Sequence, residues 1–234
     1  MSVASLQHPL LTRCGVAHGF GVRDVPDPKG LKRPVQVHGP AVARLSSAGA
    51  LSAAEADAVV SHVPGVPVGI VTADCVPVLA ATSDGTAVAA IHAGWRGLAA
   101  GVVAAGIEAL RSVASPGAAI VAVVGPRIGD CCYEVDAPVF TELERRFGSR
   151  LETAVTATRP GHGRIDLGAL VEADLENAGV AARTRAVMVG VCTRCDPKRF
   201  HSYRRDGSRS GRLVHHAAAK VAPRPRLDTD DSRI

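Results

Sequence analysis

The sequence predicts an α/β fold, a single domain built on mixed β-sheets, and three observations carry that expectation. Short runs rich in Val and Ile alternate with amphipathic stretches of helical period. Gly and Pro punctuate the boundaries throughout, with no internal repeat and no linker-like segment. Two or more strands come in succession before the first convincing helix, an order that favours a mixed sheet over a doubly wound parallel one. At 234 residues the chain is long enough to bury a sizeable core.

The elements follow in order. Residues 66–71, 76–82 and 86–92 read as strands, short and dominated by Val, Ile and Ala. Ser83-Asp84-Gly85 between the last two reads as a three-residue hairpin loop, with glycine where positive φ is needed. Residues 97–114 carry Val102, Val103, Ile107 and Leu110 on one stripe and predict one helix. Residues 120–124 are a strand running into Gly125-Pro126. Asp136 is placed as an N-cap with Pro138 in the first turn of a helix ending at Gly148. Asp166 caps a further helix through Asn177, closed by Gly179. Residues 186–191 predict a buried strand and residues 213–216 a last short one. The domain is drawn over residues 1–221, and the polar, proline-bearing segment 222–234 is expected to be a disordered tail.

Composition narrows the function classes. Hydrophobic residues make up 47% and charged residues 21%, which is globular composition, while aromatics are only 3%. The first twenty residues lack the basic and apolar regions of a signal peptide, and no apolar run approaches the ~20 residues of a membrane span. Six cysteines show no disulfide-framework spacing. A soluble, cytoplasmic protein without membrane contact is expected. The net charge of +5 is concentrated: seven basic and two acidic residues lie between Arg194 and Arg212. With few aromatics interleaved and no recognised motif, this segment reads as a small-anion site or a solvated surface, and no nucleic-acid partner is expected.

Three clusters carry chemistry. The hairpin loop centred on residue 84 sets residues whose numbers sum to about 168 opposite each other, so Cys75 and His92 become neighbours across the ladder, within reach of a shared metal ion or proton. His38 stands directly before a Gly-Pro turn in Gln36-Val37-His38-Gly39. The stretch 125–135, GPRIGDCCYEV, is a loop of unusual composition holding Cys131 and Cys132. Cys192-Thr-Arg-Cys195 is a C-x-x-C of redox or zinc type, but without a second matching pair at zinc-ribbon spacing. The only tryptophan, Trp95, sits in AIHAGWRG (residues 90–97). It is expected to pack under that turn and support His92, with Arg96 bracing the same turn.

In order, QVHG, TADCVPVL, HAGWRG, GPRIGDCCYEV, CT and FHSYRRDG…GR resemble the laccase-domain family, whose bacterial members are often labelled polyphenol oxidase and are regarded as zinc-type purine nucleoside phosphorylases. The resemblance runs from about His18 to Arg212. It implies an α/β/β/α layered fold related to cysteine-hydrolase-like toxin domains. It also implies one metal held by His38, Cys75 and His92, phosphorolysis of adenosine, inosine, guanosine and methylthioadenosine, and adenosine deamination. One departure stands out: from Arg23 the chain reaches Gln36 through only DVPDPKGLKRPV, where the family has a considerably longer segment. A wall of the substrate pocket is expected to be shortened.

Two imidazoles and one thiolate leave a fourth zinc position open, as in catalytic sites, and zinc lowers the pKa of bound water to ~7. Deamination also needs a proton carrier, for which Asp74 is the candidate. Phosphorolysis needs cations for phosphate, and the resemblance points to Arg23 with Arg204 or Arg205. The expected partners are purine nucleosides and phosphate. Three rivals remain. Copper polyphenol oxidation suits two His and one Cys, but the chain has no His-x-His pair of a multicopper site. A metal-free cysteine hydrolase would use Cys75 and His92 as nucleophile and base. A non-catalytic nucleoside-binding protein would keep the fold alone.

Overall fold

The computed structural model describes residues 4–47 and 49–221; the expected tail at 222–234 lies outside the described residues. Helix α1 (Pro9–Arg13) precedes β1 (Ala17–Gly19). Strands β2 (Val42–Leu45), β3 (Ala58–Ser61), β4 (Val68–Thr72), β5 (Val76–Thr82) and β6 (Val88–Ala93) follow. Then come α2 (Trp95–Ala99), α3 (Val102–Arg111), β7 (Ile120–Val124), β8 (Glu134–Asp136), α4 (Ala137–Phe147) and α5 (Ser149–Thr153). The remainder is β9 (Val155–Ala157), β10 (His162–Ile165), α6 (Leu167–Asn177), β11 (Arg185–Val187), α7 (Tyr203–Asp206) and β12 (Leu213–Ala218).

Alternation on the central strands builds the layers. Val76, Val78 and Ala80 of β5 and Ala89 and Ile91 of β6 point into one core, together with Val103, Ile107 and Leu110 of α3, Leu143 of α4 and Leu170 and Leu175 of α6. The intervening residues Leu79, Ala81, Val88 and Ala90 point into a second core with Val68, Ile70, Phe20 and Ala217, which Leu11 of α1 also enters. Period 2 thus puts helices on one face of the large sheet and a second sheet on the other. Each fully buried Leu or Ile contributes ~1.5–3 kcal/mol to holding these layers together.

The large sheet has the order β11-β7-β5-β6-β3-β2, with parallel pairs at both edges and antiparallel pairs between; β1-β12-β4 forms the second sheet and β8-β10-β9 a third. The fold is therefore mixed α/β, as the succession of strands before the first helix predicts.

Three local expectations are corrected. The β5–β6 loop spans four residues, 83–86, with Asp84 accepting from Thr86 N–H and Oγ1–H, and Gly85 at φ +75°. The extra loop residue moves the register sum to 169, so Pro77 faces His92 and Cys75 falls opposite Gly94. The single helix expected over 97–114 is two, α2 and α3, because Gly101 adopts φ +91°, outside helical space, with the Arg146 guanidinium packed against it. The strand expected over 186–191 ends at Val187, only half-buried on a sheet edge, and by Val189 the chain is 89% exposed.

Candidate active site and metal centre

The large sheet and the second sheet end together around a cleft of about 850 Å³, and the candidate site lies there. His38, Cys75 and His92 converge, each offering one donor atom, with all three atoms within 4.8 Å of one another. His92 is the penultimate residue of β6, Cys75 immediately precedes β5, and His38 comes from the loop before β2. The His38 and His92 rings meet edge to face at 4.8 Å, and His38 Nε2 lies 4.0 Å from Cys75 Sγ.

Asp57, which sequence reasoning missed, organises this set. It is wholly buried just before β3, and its carboxylate accepts the backbone N–H groups of Val37, His38 and Gly39 at 3.1, 2.9 and 2.8 Å. It also pairs with His92 Nδ1 at 2.7 Å. One carboxylate thereby fixes the loop that carries the first imidazole and the tautomer of the second, leaving His92 Nε2 for the site. His38 itself is held at φ +61°, in the left-handed region, and Gln36 anchors the same loop by hydrogen bonds to the backbone N–H and C=O of Val71. The charge balance follows. Burial works to raise the Asp57 pKa, but donors from His92, Gly39 and Val37 outweigh it and hold the group ionised. Burial would likewise raise the Cys75 thiol, yet the two imidazoles draw it down to about 6.

This donor set fits a metal. A thiolate available at neutral pH, two imidazoles and a carboxylate orienting one of them form the usual arrangement of ligands and outer partners around zinc. The approach is tight: a Cβ at Gly94 would stand 2.8 Å from His38 Cδ2 and 3.1 Å from Cys75 Sγ. Any larger side chain at Gly94 would have to displace His38 and Cys75.

The remaining predicted residues separate. Arg204 lines the cleft with Arg33, Arg96 and Arg212. Arg205 does not: its guanidinium is spent on the carbonyls of Thr193, Arg194 and Phe200 and on Asp206. Arg23 also lies outside the cleft lining and joins Arg199 through its backbone. Asp74 lines the cleft at φ +92°, but one oxygen accepts Thr193 Oγ1–H and the other the Arg204 backbone N–H, each at 2.6 Å. The segment after Arg23 contributes Arg33, Pro34 and Val35 to the cleft lining.

Trp95 packs against the helix-side core and also lines the cleft, and Arg96 lies over its ring at 4.2 Å. Both tyrosines, Tyr133 and Tyr203, line the same space, and Arg204 lies 5.0 Å from the Tyr133 ring. A chain with one Trp and two Tyr thus brings all three to one cleft.

The sequence model of the family described as multi-copper polyphenol oxidoreductase laccase matches residues 23–220. A purine nucleoside phosphorylase of Xylella fastidiosa (strain 9a5c) is 42% identical over 183 residues, covering 76% of this chain and 68% of that protein. A protein named adenosine deaminase RL5, from an unknown prokaryotic organism, is 35% identical over 156 residues, 67% of this chain and 59% of that one. Among solved structures, YlmD from Geobacillus stearothermophilus shares the fold with a TM-score of 0.82 at 23% identity, over 94% of this chain and 98% of the other. The chain belongs to the multi-copper polyphenol oxidoreductase laccase family.

Proposed function

We propose that the chain is a zinc-dependent purine nucleoside phosphorylase, acting on adenosine, inosine, guanosine and methylthioadenosine, with adenosine deamination as a second activity. The observation that carries this reading is the joining of three aromatic rings and four arginines in the cleft that holds His38, Cys75 and His92. The name of the Xylella relative supports the first activity and that of RL5 the second.

Zinc held by the triad would supply Lewis acidity at the cleft floor. The chain's own residues do the rest. Trp95, Tyr133 and Tyr203 offer apolar faces to a purine. Arg204, with Arg33, Arg96 and Arg212, draws phosphate into the cleft by charge-assisted hydrogen bonds. Phosphate then bonds to C1′ of the ribose as the C1′–N9 bond breaks; the base leaves with that electron pair and takes up a proton, giving free base and ribose 1-phosphate. In this reading Asp74 is a positioning residue that holds Arg204 and Thr193. It serves as the proton carrier only in deamination, where adenosine and water give inosine and ammonia.

The test incubates purified protein with inosine or adenosine, with and without phosphate, and resolves the products. Phosphate-dependent hypoxanthine release from inosine is expected. Neither base release nor inosine formation, from protein carrying zinc, would overturn the reading.

A further inference from the structure

We propose that Cys131, Cys132, Cys192 and Cys195 form a second, structural zinc site, a tetrathiolate separate from the His38–Cys75–His92 triad. The four thiols are free and all four Sγ atoms lie within 4.8 Å of one another. The C-x-x-C at 192–195 lacks a matching C-x-x-C in the sequence, and folding supplies the adjacent pair Cys131-Cys132 instead.

The geometry is that of one ion. Zinc–sulfur bonds of ~2.3 Å directed to a tetrahedron set neighbouring sulfurs about 3.8 Å apart. Here Cys131 Sγ lies 3.6 Å from Cys192 Sγ and 3.7 Å from Cys195 Sγ, and Cys132 Sγ lies 3.3 Å from Cys195 Sγ. These spacings leave no room for an iron–sulfur cluster, whose own sulfides spread the cysteines further. They are also well beyond the ~2.05 Å of a disulfide. The surroundings suit thiolates: Gly129 N–H points at Cys192 Sγ at 3.2 Å, and a Cβ at Gly129 would press on Cys131 Sγ at 3.2 Å. A zinc tetrathiolate carries a net charge of −2; Arg194 stands beside Cys132, and the backbone of Arg127 pairs with that of Cys192. Zinc entering the site displaces the thiol protons to solvent as the four sulfurs coordinate.

The site joins two loops that share no other covalent or metal link among the described residues. Arg127 already spans them weakly, donating to Gly125 O and Met188 O, and Thr193 N–H reaches Arg127 O at 2.9 Å. Both loops end in the cleft. Tyr133 follows Cys132 directly, and Thr193, between Cys192 and Cys195, holds Asp74. Zinc here clamps one wall of the cleft without touching substrate.

The experiment uses full-length protein purified under reducing conditions without added metal. His38→Ala/His92→Ala empties the triad, so any zinc that remains reports the cysteine site. One zinc per chain is expected in that variant, and none after Cys132→Ser/Cys195→Ser is added. The unaltered protein gives a readout that no misfolded variant can confuse: alkylation of Cys131, Cys132, Cys192 and Cys195 should be slow as purified and speed up at least tenfold after chelator treatment. No zinc in a folded triad-emptied variant, equal alkylation with and without chelator, bound iron in place of zinc, or a Cys132–Cys195 disulfide in protein kept anaerobic would each overturn the proposal. Failure of the nucleoside assay leaves all of these outcomes unchanged.

Discussion

At the scale of single residues, Asp57 holds the candidate site together through four hydrogen bonds. Its carboxylate fixes three consecutive backbone N–H groups and the ring of His92, so it sets both the loop and the tautomer. Asp57→Asn keeps an acceptor but removes the charge that makes His92 a better donor, and zinc affinity is expected to fall about 10–100-fold in a chelator competition. An unchanged affinity would return Asp57 to a purely structural role. Gly94 isolates the opposite variable. Its backbone, at φ −70° and ψ 159°, suits any residue, so Gly94→Ala should cost only about 1–3 kcal/mol of stability while its methyl pushes His38 and Cys75 apart. One zinc fewer per chain than in the parent should be found in metal analysis of a protein that still melts cooperatively; an unchanged zinc content would mean that His38 and Cys75 can shift to accept the methyl. The Cys75–His92 pair was legible in the sequence because both lie on one hairpin, and the four-residue loop changed their register by only one; His38 joined them only through the family resemblance. Asp57 was not legible, since it reaches His92 through the β3–β6 pairing, and nothing local in EADAVVS marks that acid as different from its neighbour Glu55.

At the scale of elements, the basic segment between Arg194 and Arg212 divides by direction. Residues 202–206 form a cap and one short helical turn, with Ser202 Oγ accepting Arg205 N–H. Successive side chains on that turn diverge, so Arg204 enters the cleft while Arg205 turns back into the loops. Charge density in the sequence could suggest an anion site here but not say which arginine would face the cleft. Arg204→Ala is expected to raise the KM for phosphate on the order of tenfold, the loss of one charge-assisted contact of ~1.5 kcal/mol, with little change in melting. Arg205→Ala should do the reverse, lowering stability by about 1.5–3 kcal/mol with phosphate dependence kept, because three backbone carbonyls lose their donor. Two variants with the same phosphate KM as the parent would remove the segment from the anion site. The helix split at Gly101 and the short β11 belong to this scale too: stripe patterns show that a segment is apolar on one face, whereas a left-handed glycine or a sheet edge is decided by what packs beside it.

At the scale of the whole molecule, individual strands were legible as short Val/Ile-rich runs and the layering of sheets only through the family resemblance; which strands share a sheet was not legible, since β12 reaches β1 and β4 across most of the chain. That crossing buries His215 completely between the sheets, below the cleft. Gly21 N–H donates to its Nδ1 at 3.2 Å, which leaves Nε2–H to donate to Thr72 Oγ1 at 2.8 Å, and the ring of Phe20 meets it edge-on. The ring is therefore neutral. Burial first, then the nearby His216 and His92, push its pKa down to about 3. An unfolded chain would bind this proton near 6.5 while the folded one does not, so the unfolded state carries more protons throughout the window between them. The sign is fixed: stability is whole above pH 6.5 and is lost as pH falls toward 3, by at most about 1.4 kcal/mol per unit from this group. His18 and His216, also lowered by burial, act in the same direction. His92 does not, because its raised pKa of about 9 keeps it protonated in both states below 6.5. Denaturant titrations of chelator-treated protein between pH 4.5 and 7 should show this slope, free of proton competition for metal. His215→Asn, which can still accept from Gly21, should lower stability at pH 7 and flatten the slope by one histidine's share. A slope as steep as the parent's would mean that His215 takes up its proton without unfolding the sheets, and that the space between them admits water.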